Sequence, residues 1–198
     1  MTDQAAPAPM HPLRRALTFW GAVIALLWLV LIADWVTPGY LVSYGITPRS
    51  VDGLTGIAAA PFLHGGAAHL AANTVPLAVM GVVAALRDWR GMWIALIVTT
   101  LASGLGVWLF SPSHSVTVGA SGVAFGLLGY LLARGIVMRR IGDLLIGLAV
   151  LAVYGTMVWG IFPSLPHISW QGHLFGFLGG IGAAFMARNA ARNAASAA

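Results

Sequence analysis

Six long apolar stretches occur in this chain, and they limit what it can fold into more than any other feature. A helix needs ~20 apolar residues to cross ~30 Å of hydrocarbon, and most of the stretches approach that length. Of the 198 residues, 59% are hydrophobic and only 8% are charged, which is far outside the composition of water-soluble domains. The sequence therefore predicts an all-α polytopic membrane protein in which six transmembrane helices form one bundle in the lipid bilayer.

The predicted spans are joined by loops of unequal length. The connection over 34–66 is long and contains several prolines and glycines, so we expect it to lie in the membrane interface. The fourth span has only about 13 residues, too few to cross the bilayer, so we expect a short helix that begins below the membrane surface. The predicted spans are 17–33, 69–86, 92–110, 121–133, 144–162 and 170–187.

Charge predicts the orientation of the bundle. All ten basic side chains are arginines, and every one except Arg49 falls in a tail or in an even-numbered loop. By the positive-inside rule both termini are then cytoplasmic. We expect a disordered cytoplasmic tail over 1–13, a six-span domain over 14–188 and a cytoplasmic tail over 189–198. Because the charges flank apolar stretches, the net charge of +5 orients the chain and does not predict a nucleic-acid partner.

Missing residue types exclude several chemistries. The chain has no cysteine, which excludes disulfides, thiolate nucleophiles and cysteine metal sites. It also has no glutamate and only five aspartates, which the sequence places outside the interiors of the spans. A zinc or paired-aspartate intramembrane protease therefore lacks its residues, and an ion-coupled transporter lacks a buried carboxylate. We predict neither a metal nor a cofactor.

The fourth span opens on a serine framed by glycines, Gly119-Ala120-Ser121-Gly122. The first amides of a helix have no partner within the helix, and together with the helix dipole they can stabilise an oxyanion. Small residues at such a position are also typical of close helix packing in membranes. The local pattern thus leaves two interpretations of Ser121, a nucleophile or a packing residue.

A histidine opens the sixth span above a stripe of glycines. His173, Gly176 and Gly180 share one helical face, and Gly122 follows Ser121 on the fourth span. If the two faces pack against each other, His173 comes within reach of Ser121. A histidine bonded to a neighbouring carbonyl is the structural alternative, but ionisable groups inside membranes are costly and point to function.

Two polar residues lie one helical turn apart on the second span. His69 and Asn73 share a face, and both can donate hydrogen bonds without adding a full charge at neutral pH, as an oxyanion hole requires. Interhelical hydrogen bonding is the alternative. His64 precedes this span, and we expect its side chain to make a structural bond that braces the long loop.

Together these motifs resemble, in order and spacing, those of the rhomboid family of intramembrane serine proteases. The resemblance covers the second to sixth spans. It implies that Ser121 attacks the peptide carbonyl and that His173 transfers the proton, without a third carboxylate. It further implies an oxyanion hole formed by His69, Asn73 and the Ser121 amide. Supporting positions are His64, Gly119, Gly122, Phe125, Gly176 and Gly180.

The same resemblance carries expectations about partners and location. It implies single-span membrane proteins as substrates and a multi-pass protein of the prokaryotic plasma membrane, with its active site open to the extracytoplasmic side. It also implies that the fifth span and the following loop, 161–169, gate lateral access of substrate. Two positions depart from the family: Arg49 has no adjacent tryptophan, and Phe125 stands where some relatives have a tyrosine. A catalytically silent protein that binds membrane clients and a small channel or transporter are the alternative functions.

Overall fold

The computed structural model describes residues 10–37, 40–163 and 168–197. Within these ranges six helices are long and apolar enough to cross a membrane, and the only strand-like pairing is one antiparallel bridge between Ile46 and Thr117. This confirms the predicted all-α, six-span bundle. The helices are α1 (Pro12–Val36), α2 (Ala67–Arg87), α3 (Trp89–Phe110), α4 (Ser121–Met138), α5 (Ile141–Tyr154, continued by a 3-10 helix over Gly155–Ile161) and α6 (Trp170–Ser196).

Several helix boundaries differ from the prediction, and α4 is one of them. It has 18 residues rather than about 13 and ends where Arg139 adopts a left-handed conformation with φ of 54°. The helix continues past Ala133, and Arg134, which the sequence placed in a loop, lies within it and is buried inside the bundle. It is still the shortest of the six spans and the one most buried by protein.

The outer ends of the bundle are also more helical than expected. Pro12 starts α1, with the His11 side chain accepting from the Leu13 N–H as a cap, a position where proline suits a helix. Residues 1–9 of the predicted disordered tail lie outside the described ranges. At the other end α6 continues to Ser196, through most of the segment that the sequence assigned to a tail.

Helices α4 and α6 approach each other so closely that their backbones touch. A Cβ atom added to Gly176 would collide with the carbonyl of Gly122, and one added to Gly180 would collide with the carbonyl of Gly126. Only glycine permits this approach, in agreement with the role of small residues in membrane helix packing. The contact aligns the first turns of the two helices, where the serine and the histidine lie.

The long connection between α1 and α2 is folded and tied to the end of α3. It contains 3-10 turns at Leu41–Tyr44 and Asp52–Leu54 and two consecutive helical turns over 56–62. The guanidinium of Arg49 donates to the Leu109 carbonyl at 3.0 Å and to Ser113 Oγ at 2.5 Å. Arg49 has no tryptophan beside it in sequence, but its N–H donates to the Trp108 carbonyl at 3.1 Å, so this residue fastens the loop to the protein.

A buried charged cluster joins α2, α3, α4 and α5 at the end of α4 opposite Ser121. The Arg134 guanidinium lies 3.1 Å from the Asp88 carboxylate and 3.3 Å from that of Asp143. Arg87 lies 2.6 Å from the same Asp143 oxygen, and Arg134 also donates to the Tyr130 hydroxyl at 2.9 Å. Charges that the sequence assigned to loops are therefore paired inside the protein, as buried charges must be. The expectation that the chain lacks a buried carboxylate is wrong, because Asp143 in α5 and Asp34 in α1 are both buried.

Candidate active site

The first residue of α4 and the first turn of α6 bring a hydroxyl and an imidazole together. Ser121 Oγ lies 2.8 Å from His173 Nε2, although the two residues are 52 positions apart in the chain. The glycine contact between α4 and α6 causes this proximity, since bulkier residues at 176 or 180 would hold the helices apart. His173 is only 8% exposed, so the pair is largely shielded by protein.

The other nitrogen and one face of the His173 ring are also held. Nδ1 lies 2.9 Å from the carbonyl oxygen of Gly160, in the 3-10 helix that follows α5. The Phe125 ring stacks on the imidazole, with 4.1 Å between centroids and 7° between planes. A carbonyl can only accept a hydrogen bond, so the proton must reside on Nδ1. Nε2 is then free to accept the Ser121 hydroxyl proton.

The histidine and asparagine predicted on one face of α2 both line the same cavity as Ser121. Asn73 is 6% exposed, and its amide nitrogen Nδ2 has no hydrogen-bond partner among the described residues. His69 lies against Gly119, where an added Cβ would come within 2.7 Å of the imidazole. The φ of +123° at Gly119 is in a region that glycine adopts readily, so this position suits glycine for two reasons.

His64 braces the turn that leads into Ser121. Its Nε2 accepts from the Ala120 N–H at 3.3 Å, and its ring lies edge-on to that of His69 with 5.1 Å between centroids. The ring is 2% exposed. Burial, and secondarily the positive charge of a protonated His69, lowers the His64 pKa from 6.5 to about 4. The imidazole is therefore neutral at neutral pH, as its acceptor role requires.

These residues surround an open cavity of about 980 Å³. The cavity is large enough to hold several residues of an extended peptide beside Ser121. Both polar and apolar residues line its wall, including residues of the loop before α4 and of the first turn of α6. In the part of the chain that the structure describes, no three His or Asp side chains come together as metal ligands.

One feature of this site was not predicted from the sequence. The Gly160 carbonyl that meets His173 is a backbone group, and no residue pattern around it indicates that contact. Two sequence features could have indicated this contact, namely Gly160 itself and Pro163, three residues later. The loop expected to gate the site falls partly outside the described ranges, since residues 164–167 are not among them.

The fold and the site define a multi-pass integral membrane protein in which a serine and a histidine from different helices meet at a cavity within the bundle. A family model described as the rhomboid domain matches residues 52–190, a range that includes α2 to α5 and most of α6. The chain belongs to the rhomboid family.

Relatives include bacterial and plant proteins. An uncharacterized protein of Mycobacterium bovis is 41% identical over 172 residues, which cover 82% of this chain and 71% of the relative. An uncharacterized protein of Mycobacterium leprae is 39% identical over 174 residues, covering 82% and 68%. The chloroplastic Rhomboid-like protein 11 of Arabidopsis thaliana is 35% identical over 69 residues, covering 34% and 25%.

Proposed function

We propose that this protein is an intramembrane serine endopeptidase that uses Ser121 and His173 as a catalytic dyad. The observation that carries the proposal is the 2.8 Å contact between Ser121 Oγ and His173 Nε2 at the wall of a peptide-sized cavity. A serine that served only to pack α4 against α6 would not need an imidazole nitrogen as its partner.

In the proposed reaction Ser121 Oγ attacks the carbonyl carbon of a peptide bond while Nε2 of His173 takes the hydroxyl proton. The tetrahedral intermediate collapses with cleavage of the C–N bond, and His173 gives the proton to the leaving amine. A water molecule, deprotonated by the same nitrogen, then attacks the ester on Ser121. The products are two peptide fragments and the regenerated hydroxyl.

The negative charge of the intermediate needs donors that are already in place. Three groups at the cavity supply them: the Ser121 amide in the first turn of α4, the Asn73 side chain and the His69 imidazole. The unpartnered Asn73 nitrogen is the clearest indication, because a buried donor without a partner is costly unless something binds to it. Gly119 leaves room for the His69 ring beside the serine.

The substrates that fit this site are transmembrane segments of single-span membrane proteins. Cleavage requires an unwound stretch, because the cavity must admit backbone on both sides of the bond. Arginine distribution favours cytoplasmic termini for the 14–188 domain and its tails, which puts the first turn of α4 toward the extracytoplasmic side. The mycobacterial relatives are compatible with a prokaryotic plasma membrane.

Reconstituted cleavage of a model transmembrane substrate tests the proposal. Wild type should cleave it, whereas Ser121→Ala and His173→Ala should reduce cleavage to background while thermal unfolding in detergent stays unchanged. Ser103→Ala is a matched control, because this serine also lines the cavity without contacting His173. Equal turnover by wild type and both dyad variants would refute the dyad.

A fluorophosphonate probe gives an independent measurement. It should label wild type at Ser121 and leave Ser121→Ala unlabelled, since an unactivated packing serine does not react. If wild type neither reacts nor cleaves, but binds the transmembrane substrate, the silent client-binding function is the correct one.

A further inference from the structure

We infer that the backbone carbonyl of Gly160 positions His173 and fixes the proton on its Nδ1, the role that a carboxylate has in Ser-His-Asp triads. The inference rests on the proposed function of the dyad, but it concerns a different element, the 3-10 helix over Gly155–Ile161. In this assignment Gly160 is a positioning residue, since its carbonyl acts through the imidazole and not on the substrate.

The geometry around the ring leaves one orientation for the imidazole. Nδ1 faces the Gly160 oxygen at 2.9 Å and Nε2 faces Ser121 Oγ at 2.8 Å, while the Phe125 ring supports one face. If the ring flipped or the proton moved to Nε2, the Gly160 oxygen would face a bare nitrogen and Ser121 would lose its acceptor. The carbonyl therefore selects the tautomer that can take a proton from serine.

No carboxylate among the described residues competes for this role. Asp34 accepts from the Val42 amide, Asp88 and Asp143 belong to the charged cluster, and Asp52 lies exposed in the first loop. A general base of the Ser-His type needs its second nitrogen held in the correct tautomer. In this site a neutral oxygen meets that need, without the desolvation cost of a buried anion.

The sequence explains why this carbonyl is available. In a 3-10 helix the carbonyl of residue 160 would accept from the N–H of residue 163. Residue 163 is proline, which has no N–H, whereas the preceding Trp159 carbonyl does accept from the Phe162 N–H at 3.3 Å. Pro163 also favours extended backbone at the residue before it, and Phe162 is extended with ψ of 148°, so the 3-10 helix ends and the Gly160 oxygen is free for His173.

The identity of residue 160 is equally constrained. A Cβ atom at this position would lie 2.9 Å from Cζ of Phe125 and 3.1 Å from Nδ1 of His173, so a side chain would push the ring or the 3-10 helix away. At Gly155, at the start of the same 3-10 helix, an added Cβ would meet only Leu151 Cδ1 at 3.4 Å, an ordinary contact. Gly155→Ala is therefore a matched control for Gly160→Ala.

The test combines cleavage kinetics with ¹⁵N NMR of the imidazole rings in histidine-labelled full-length protein in lipid nanodiscs. His173→Ala identifies the His173 signals. Wild type and Gly155→Ala should show a slowly exchanging proton on Nδ1 of His173. Gly160→Ala should lose that signal and reduce kcat by about 10- to 100-fold, the range expected for misplacement of a reacting group, with little change in KM.

A second variant removes the steric change. Replacing Ile161 by its α-hydroxy acid converts the 160–161 peptide bond to an ester, whose carbonyl is a weaker acceptor, and leaves Gly160 without a side chain. We expect faster exchange of the Nδ1 proton and a 2- to 10-fold lower kcat, the effect of losing about one hydrogen bond. The same replacement at Val158, within the same 3-10 helix, should leave the His173 signal unchanged.

The outcomes are distinct for the two proposals. A wild-type His173 protonated on Nε2, or an Nδ1 signal unaffected in both folded variants, Gly160→Ala and the ester between residues 160 and 161, would overturn the positioning role even if cleavage is normal. Absence of cleavage by wild type would instead refute the protease function, and the NMR result would still decide which group holds the ring.

Discussion

The two ends of α4 are held by opposite kinds of interaction. Around Ser121, here called the serine end, neutral hydrogen bonds and glycine contacts align α4 with α6 and with the 3-10 helix. Around Arg134, here called the arginine end, ion pairs connect four helices. One end contains an accessible cavity, and the other is filled by its own charges.

The contacts at the serine end suit a reaction, whereas those at the arginine end anchor the helices. At the serine end the Asn73 nitrogen has no partner and the serine faces a cavity, so stability is forgone where chemistry is proposed. At the arginine end Arg87 donates to Asp143 and Arg134 lies 3.3 Å from the same carboxylate, so these charges are paired with one another and face no cavity. Substitutions at the serine end should therefore change rates and spare stability, and substitutions at the arginine end should do the reverse.

The largest effect is expected at Asn73, the proposed oxyanion donor of the serine end. Asn73→Ala should lower kcat by about 10- to 1000-fold, because one preorganised donor is lost, while the unfolding temperature stays within a few degrees of wild type. Cleavage assays and thermal unfolding measure the two quantities. Thr74→Ala is the matched control. Thr74 follows Asn73 in the chain, but its hydroxyl accepts a hydrogen bond from the Trp28 indole and lies away from the cavity. An unchanged kcat in Asn73→Ala would remove Asn73 from the site.

At the arginine end we expect the reverse, a large loss of stability with little change in kcat. Asp143→Asn leaves Arg134 and Arg87 without their shared anion, and breaking such a pair destabilises a protein by about 3 kcal/mol. Unfolding in detergent should report this loss, with kcat near that of wild type at a temperature where the variant is folded. The exposed Asp52→Asn serves as control. Equal stability of the two variants would mean that the cluster does not anchor the helices.

A smaller effect is expected from restoring the missing amide in the 3-10 helix. Pro163→Ala provides an N–H that competes with His173 for the Gly160 oxygen, so kcat should fall by about 2- to 5-fold, somewhat less than the value of a full hydrogen bond. Lactic acid at position 163 also lacks an N–H, and this variant should keep the wild-type rate. If both variants were equally impaired, the ring of proline, and not its missing N–H, would be the important feature.

A change of stability with pH is also expected at the serine end. His64 has a pKa of about 4 when folded and 6.5 when unfolded, so below pH 6.5 the unfolded state binds more protons and stability declines as the pH falls from 6.5 toward 4. His64→Gln, which still offers an acceptor to the Ala120 N–H, should flatten this decline. Unfolding temperatures between pH 7 and 5 provide the measurement, and parallel curves for both proteins would contradict it.

The sequence predicted the spans well, because apolar stretches and helix-breaking residues mark them directly. It also predicted that α4 and α6 could meet, since Gly122, Gly176 and Gly180 fall on facing stripes. The catalytic roles of Ser121 and His173 remain a proposal, and the structure adds the distance between their side chains.

Other features could not be read from the chain. Arg134 has the same charge as Arg139, which follows it in sequence, and only the positions of Asp88 and Asp143 in space reveal that Arg134 is buried and paired. This burial extends α4 by five residues beyond the predicted end at Ala133. The contact between the Gly160 carbonyl and His173 could not be predicted from the sequence either. Every residue has a backbone oxygen, and the direction in which that oxygen points depends on the fold.

The position of α5 links the site to the bilayer. Together with its 3-10 extension it is the least buried of the six spans, and large apolar side chains such as Leu145 and Val153 point away from the protein. Lipid acyl chains are thus the main neighbours of the helix that carries Gly160. The cost of hydrophobic mismatch, which depends on bilayer thickness, should therefore act on the helix that carries Gly160, and the proposed cleavage should proceed at different rates in membranes of different thickness.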